Sequence, residues 1–167
     1  MATPYTIRSV RNALLAIALI SSLTTACKKS GIGGADVDPR DQYVGTYEGS
    51  YTSTTYINNA LPANPPEAGT VQITVTKAQT GNQVYMELLF NGSTKQSLTA
   101  ELTDATFTVI DKQTEPLAFG GTTYDANYTA QGQFVVQDKA FTLNTVAETL
   151  RLGVTLTKRG DIKGTKK

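Results

Sequence analysis

Residues 69–90 read GTVQITVTKAQTGNQVYMELLF, and the spacing of their apolar side chains decides the fold. Val71, Ile73 and Val75 alternate with Thr70, Gln72, Thr74 and Thr76. Beyond Thr80-Gly81-Asn82, the same two-residue period resumes through Val84, Met86, Leu88 and Phe90. A strand points successive side chains to opposite faces, whereas a helix repeats its apolar positions every three or four residues. Two alternating runs joined by a short glycine-containing link therefore predict a half-buried antiparallel hairpin.

The pattern extends in both directions. Upstream, YVGTYEGSYTSTTY (residues 43–56) puts Tyr43, Gly45, Tyr47, Gly49 and Tyr51 on one face of a long first strand. Downstream, Leu98, Ala100 and Leu102, then Phe107 and Val109, then Phe141 and Leu143, then Leu150, Leu152, Val154 and Leu156 keep the period. TTYDANYTAQGQFVVQ (residues 122–137) reads as two strands or one bent strand, with Gly132 as a possible bulge. Turn residues separate the runs at Asn91-Gly92-Ser93, Gly120-Gly121 and Gln137-Asp138-Lys139. The expectation is an all-β domain of about eight antiparallel strands in an up-and-down meander. Closing the meander into a barrel removes exposed edges, and hairpin-length gaps favour sequential pairing. A β-sandwich fits the same alternation. One connection stands apart: residues 57–69, INNALPANPPEAG, carry three prolines and no alternation. This long loop is either a cover for the barrel end or an inert insertion.

Composition excludes several chemistries. Of 167 residues, 40% are apolar and 17% charged, with a net charge of +1, which places the chain among globular proteins rather than nucleic-acid binders. With no histidine and a single cysteine, Cys27, the chain cannot build an internal disulfide, a Cys/His zinc site or a Ser-His-Asp triad. The carboxylates Glu48, Glu87, Glu101, Asp104, Asp111, Glu115, Asp125, Asp138 and Glu148 are scattered over strands and turns, and nothing pairs any two of them. They read as solvated faces, so no catalytic residue, metal or cofactor is expected. Residues 41–157 carry a net charge of −6 and residues 158–167 one of +4, so an acidic domain is expected to end in a basic tail.

The N-terminus reads as an export signal: two arginines and no acid in residues 1–12, then the apolar run ALLAIALISSL (residues 13–23). That run is too short to span a bilayer, which takes about 20 apolar residues. The following Thr24-Thr25-Ala26-Cys27 resembles the lipobox of bacterial lipoprotein signal peptides. The resemblance implies cleavage after Ala26 and diacylglycerol on Cys27, hence a partner membrane in the cell envelope, the outer membrane by preference, with the domain outside the cytoplasm. The resulting organisation is a signal peptide (1–26), a flexible Gly-rich tether beginning at the lipidated cysteine (27–40), a β-domain (41–159) and a basic tail (160–167).

The start of the domain, DQYVGTYEGSY (residues 41–51), resembles the opening strand of lipocalin-like domains in small lipoproteins, mainly of Bacteroidetes, through Gly45-Thr46-Tyr47. The resemblance implies a calycin-type barrel, with Arg151 the candidate for a capping arginine, that encloses a small apolar or lipidic ligand. Inward residues expected at such a ligand are Tyr47, Val71, Ile73, Met86 and Leu88. The expected function is non-catalytic binding by a monomer. The alternative is an envelope protein-interaction or inhibitor module using residues 57–69.

Overall fold

In a computed structural model describing residues 37–167, the two-residue period becomes ten strands. They are β1 (Gly45–Ile57), β2 (Leu61–Pro62), β3 (Glu67–Lys77), β4 (Gln83–Phe90), β5 (Thr94–Thr103), β6 (Thr106–Val109), β7 (Thr114–Phe119), β8 (Thr122–Val135), β9 (Ala140–Arg151) and β10 (Val154–Lys166). Every pairing is antiparallel, and the order β1-β3-β4-β5-β6-β8-β9-β10 follows the chain. β10 then pairs back onto β1 from Tyr47↔Lys166 to Ile57↔Leu156, which closes a ring of eight strands. The fold is therefore a closed barrel of the calycin or lipocalin-like type, and the sandwich is set aside. β2 is a two-residue addition to the end of β1, and β7 pairs only with β8.

One end of the barrel, called here the lower end, carries the start of β1 and the last residues of β10. Its core is a set of interlocked aromatic rings. Phe134 lies 5.0 Å from Phe107 and 5.4 Å from Phe141, and Tyr47 lies 5.7 Å from Phe141. Tyr43 stacks on Phe134 at 4.7 Å and closes the floor. Rings at these separations attract beyond the burial of their area. Val75, Val84 and Ala100 belong to the same core and are fully buried. Burial raises the Tyr47 phenol to about 12, and its hydroxyl donates to the Tyr43 carbonyl at 2.8 Å.

Three expectations are corrected. Residues 160–166 are not a tail but the last half of β10, paired on one side with β1 and on the other with β9. Gly160, Ile162 and Gly164 are buried on the inward positions, while Asp161, Lys163 and Thr165 face solvent. The outward lysines disguise the alternation. Gly49 and Gly164 face each other across this seam, so close that a Cβ on Gly49 would collide with the Lys163 carbonyl oxygen. Second, the β-domain includes Asp38–Gln42 and does not start at residue 41. Pro39–Gln42 form a short 3-10 helix capped by the Asp38 carboxylate, and Arg40 Nη1 donates to the carbonyls of Ala78, Thr80 and Gln83 at 2.7–3.0 Å. Asp38 accepts from the guanidinium at 2.7 Å, and the hydrogen bonds from the Arg40 side chain and backbone hold the Asp38 carboxyl well below the usual carboxylate range. The expected capping arginine, Arg151, instead lies over the Tyr124 ring near the opposite end. Residues 122–135 form a single strand, one of the two readings above, and the third correction concerns its glycine. Gly132 is not a bulge; it makes room for the Phe107 ring, with which a Cβ would collide.

The proline-rich connection is shorter than expected. β2 folds back on Tyr56 and Ile57, and β3 starts at Glu67. Asn58 accepts from the Thr155 backbone N–H at 2.9 Å and Asn59 accepts from Arg159 at 3.1 Å, so the connection is tied to β10. Signal peptide, Cys27 and most of the tether lie outside the described residues.

Candidate functional site: a cavity in the upper barrel

The upper half differs because the wall opens there. β6 pairs with β5 only from Thr106 to Val109. The chain then turns away: Ile110 N–H donates to the Thr99 carbonyl, the Asp111 carboxylate accepts from Thr99 N–H at 2.8 Å, and β7 continues against β8 alone. Pro116 within β7 suits such an edge, since proline has no N–H to offer a further neighbour. The residues of β5 above Thr99 therefore lack a partner on this side.

Behind the gap lies a cavity of about 240 Å³. Leu88, Phe90, Leu98, Leu143 and Ile162 form its apolar wall. Tyr51 stands edge-on to Phe90 at 5.0 Å, and its hydroxyl accepts from Asn91 Nδ2 at 3.0 Å. Polar groups come from six strands: Ser53 on β1, Gln96 on β5, Glu115 on β7, Tyr128 on β8, Thr145 on β9 and Lys158 on β10. Each sits at an inward position of its strand.

Glu115 organises the charges. Its Oε2 accepts from Lys112 Nζ at 2.8 Å and its Oε1 from Lys158 Nζ at 3.3 Å, the latter reaching from β10, beyond both β8 and β9. Lys112 lies 4.2 Å from the centre of the Tyr128 ring, a cation–π contact. Burial pushes the Tyr128 phenol well above its ordinary range, with the Glu115 charge and then Asp111 adding, while a hydrogen bond with Gln96 opposes them. Ser53 Oγ is buried without a hydrogen-bond partner. An unmade buried hydrogen bond costs about 1–3 kcal/mol, so each such group calls for an explanation.

The five residues expected at a ligand all point inward, but they divide. Leu88 lines the cavity. Tyr47, Val71, Ile73 and Met86 are packed into the buried core and are not among its lining residues. The polar members of the site, Ser53, Gln96, Glu115, Tyr128 and Lys158, were not among the expected contacts. Their signal is parity. Glu115 shares its face with Leu117 and Phe119, and Lys158 shares its face with Leu156 and Ile162. Polar side chains in an apolar register are the mark of an internal site. Among the described residues, no three His, Cys, Asp or Glu side chains are grouped to hold a metal.

No protein family matches the sequence, and no curated protein matches it. Among solved structures the chain is similar to a point mutant of the vaccine antigen transferrin binding protein B from Haemophilus parasuis Hp5, at 10% identity and a TM-score of 0.42. The match covers 76% of this chain and 28% of that one, so the chain spans little more than a quarter of that antigen's length.

Proposed function

We propose that this chain is a non-catalytic binding protein of a bacterial cell envelope that takes a small, partly apolar ligand into the upper half of its barrel. The observation that carries this reading is the cavity. Aromatic rings fill one half of the barrel, and the other half stays open around a buried hydroxyl that has no partner. Protein interiors otherwise pack at the density of organic crystals. Ligand sites are concave, mostly apolar and furnished with a few converging polar groups, which describes this cavity. Both oxygens of Glu115, the carboxylate in the cavity wall, are engaged by lysine ammonium groups, which suits positioning rather than proton transfer. Export through residues 1–26, lipid attachment at Cys27 and an outer-membrane location of the kind found in Bacteroidetes lipoproteins belong to the same proposal and rest on the sequence resemblance. The domain acts as a monomer and has no nucleic-acid partner.

Native mass spectrometry of the protein recovered from its own cells without detergent tests the reading. The expected result is a reproducible extra mass, released on denaturation and recovered by organic extraction. A clean apo mass, unchanged by exposure to a lipid extract, would contradict it.

A second reading, an interaction module, is favoured by one feature. Leu152 stands fully exposed in the β9–β10 turn at a φ of 50°, and Leu150 and Leu61 are also exposed at the upper end. Large apolar side chains grouped on a surface mark contact sites. A photo-crosslinking side chain at position 152 should then yield one discrete adduct in intact cells, abolished by Leu61→Glu. A spread of weak adducts would sink this reading.

A further inference from the structure

The cavity wall is uneven in charge, and the unevenness points to the ligand's polar group. Two lysines share the single Glu115 carboxylate, and Lys112 holds it more closely, at 2.8 Å. The contact of Lys158 with the same carboxylate is 3.3 Å, beyond the ~2.7–2.9 Å usual for a charge-assisted bond. An ammonium group carries three N–H donors, so Lys158 presents a positive charge with donors to spare on the cavity wall. Ser53 is its neighbour: β1 and β10 pair Ser53 with Gly160 and Thr55 with Lys158, and both side chains are inward. The Ser53 hydroxyl has no partner. Of the other charged groups nearby, Glu67 is exposed at the mouth, and Asp111 accepts from the Thr99 backbone.

One group satisfies both Ser53 and Lys158. A carboxylate accepts from a hydroxyl and an ammonium together and neutralises the surplus charge. An amine would lie beside a like charge and find both Glu115 oxygens taken. An alcohol would leave the Lys158 charge unanswered. The size of the space limits the remainder: about 240 Å³ falls short of the ~300–1,000 Å³ of sites for drug-sized ligands. We propose, building on the binding function above, that the occupant is a small carboxylic acid with a compact apolar body, its carboxylate held by Lys158 and Ser53 and its body against Leu88, Leu98, Leu143 and Ile162.

The test is calorimetric titration of the full chain with octanoate, octan-1-ol and octylamine, which share one chain and differ in headgroup. Octanoate should bind at least about tenfold more tightly than octan-1-ol, a difference of ~1.4 kcal/mol, with octylamine weakest. Lys158→Met should erase the preference and Lys158→Arg should keep it. Lys95→Met, at an exposed ion pair with Glu87, should change nothing. Ser53→Ala, a smaller change to the fold, should weaken octanoate selectively and keeps the question answerable if Lys158→Met does not fold. Equal affinity for octanoate and octan-1-ol would overturn the carboxylate assignment and leave the binding function standing. Binding of none of the three would overturn both.

Discussion

Ser53 is where stability and function pull apart. Its hydroxyl is buried with no partner, and on the neighbouring strand Lys158 holds a long contact to a carboxylate already paired with Lys112. Natural proteins retain such defects at sites where a ligand completes the bonding. Ser53→Ala is therefore expected to raise the stability of the empty protein by about 1 kcal/mol, since it removes an unsatisfied donor from the interior. Urea unfolding with and without the substitution measures this; a loss of stability would show that the hydroxyl has a partner. The position was partly legible in the sequence. Ser53 has the parity of Tyr47 and Tyr51, so its inward direction follows from the alternation in YVGTYEGSYTSTTY. That its hydroxyl goes unanswered depends on neighbours brought in from other strands, which no local pattern encodes.

At the scale of elements, β10 decides whether the barrel exists. It provides the seam to β1 from Leu156 to Lys166 and the hairpin partner of β9. Its second half, Gly160 to Lys166, alternates as regularly as any other strand, but it does so with glycines and one isoleucine on the buried face. Glycine is depleted in strands, and lysines near a chain end suggest a solvated tail, so composition hid what parity contains. The two accounts differ in their consequences. Loss of a disordered tail would leave the thermal midpoint unchanged. Truncation after Arg159 removes the lower rungs of both seams and exposes Tyr47, Ile73 and Phe141, so the cooperative thermal transition followed by circular dichroism is expected to disappear. An unchanged midpoint would contradict the seam. Arg40 carries the same lesson at the other terminus. It lies in a stretch rich in glycine and aspartate, and only the three carbonyls of the β3–β4 turn reveal that it closes the floor.

Across the whole molecule, the barrel was the readable part and the cavity was not. Alternation in residues 69–90 and their neighbours specifies antiparallel strands locally, and short links between them specify the order. The distribution of bulk is a different matter. Phe107, Phe134 and Phe141 come from three strands and meet at one level only through the register of β6, β8 and β9. That convergence fills the lower half and encloses Tyr47, an expected ligand contact, within the core. The upper half opens because the chain leaves β5 where β6 ends at Val109 and β7 then pairs with β8 alone, a departure that the sequence marks only with Pro116 and the turn-like Asp111-Lys112-Gln113. With the base packed and the upper chamber open, the proposed ligand has one place to bind, the chamber.

Methyl NMR of the full chain during titration with octanoate tests that claim most directly. The account predicts shifts for the methyls of Leu88, Leu98, Leu143 and Ile162, which line the chamber, while Val75 and Val84, buried below it, stay fixed. Shifts confined to Leu61, Leu150 and Leu152, or none at saturating ligand, would contradict it.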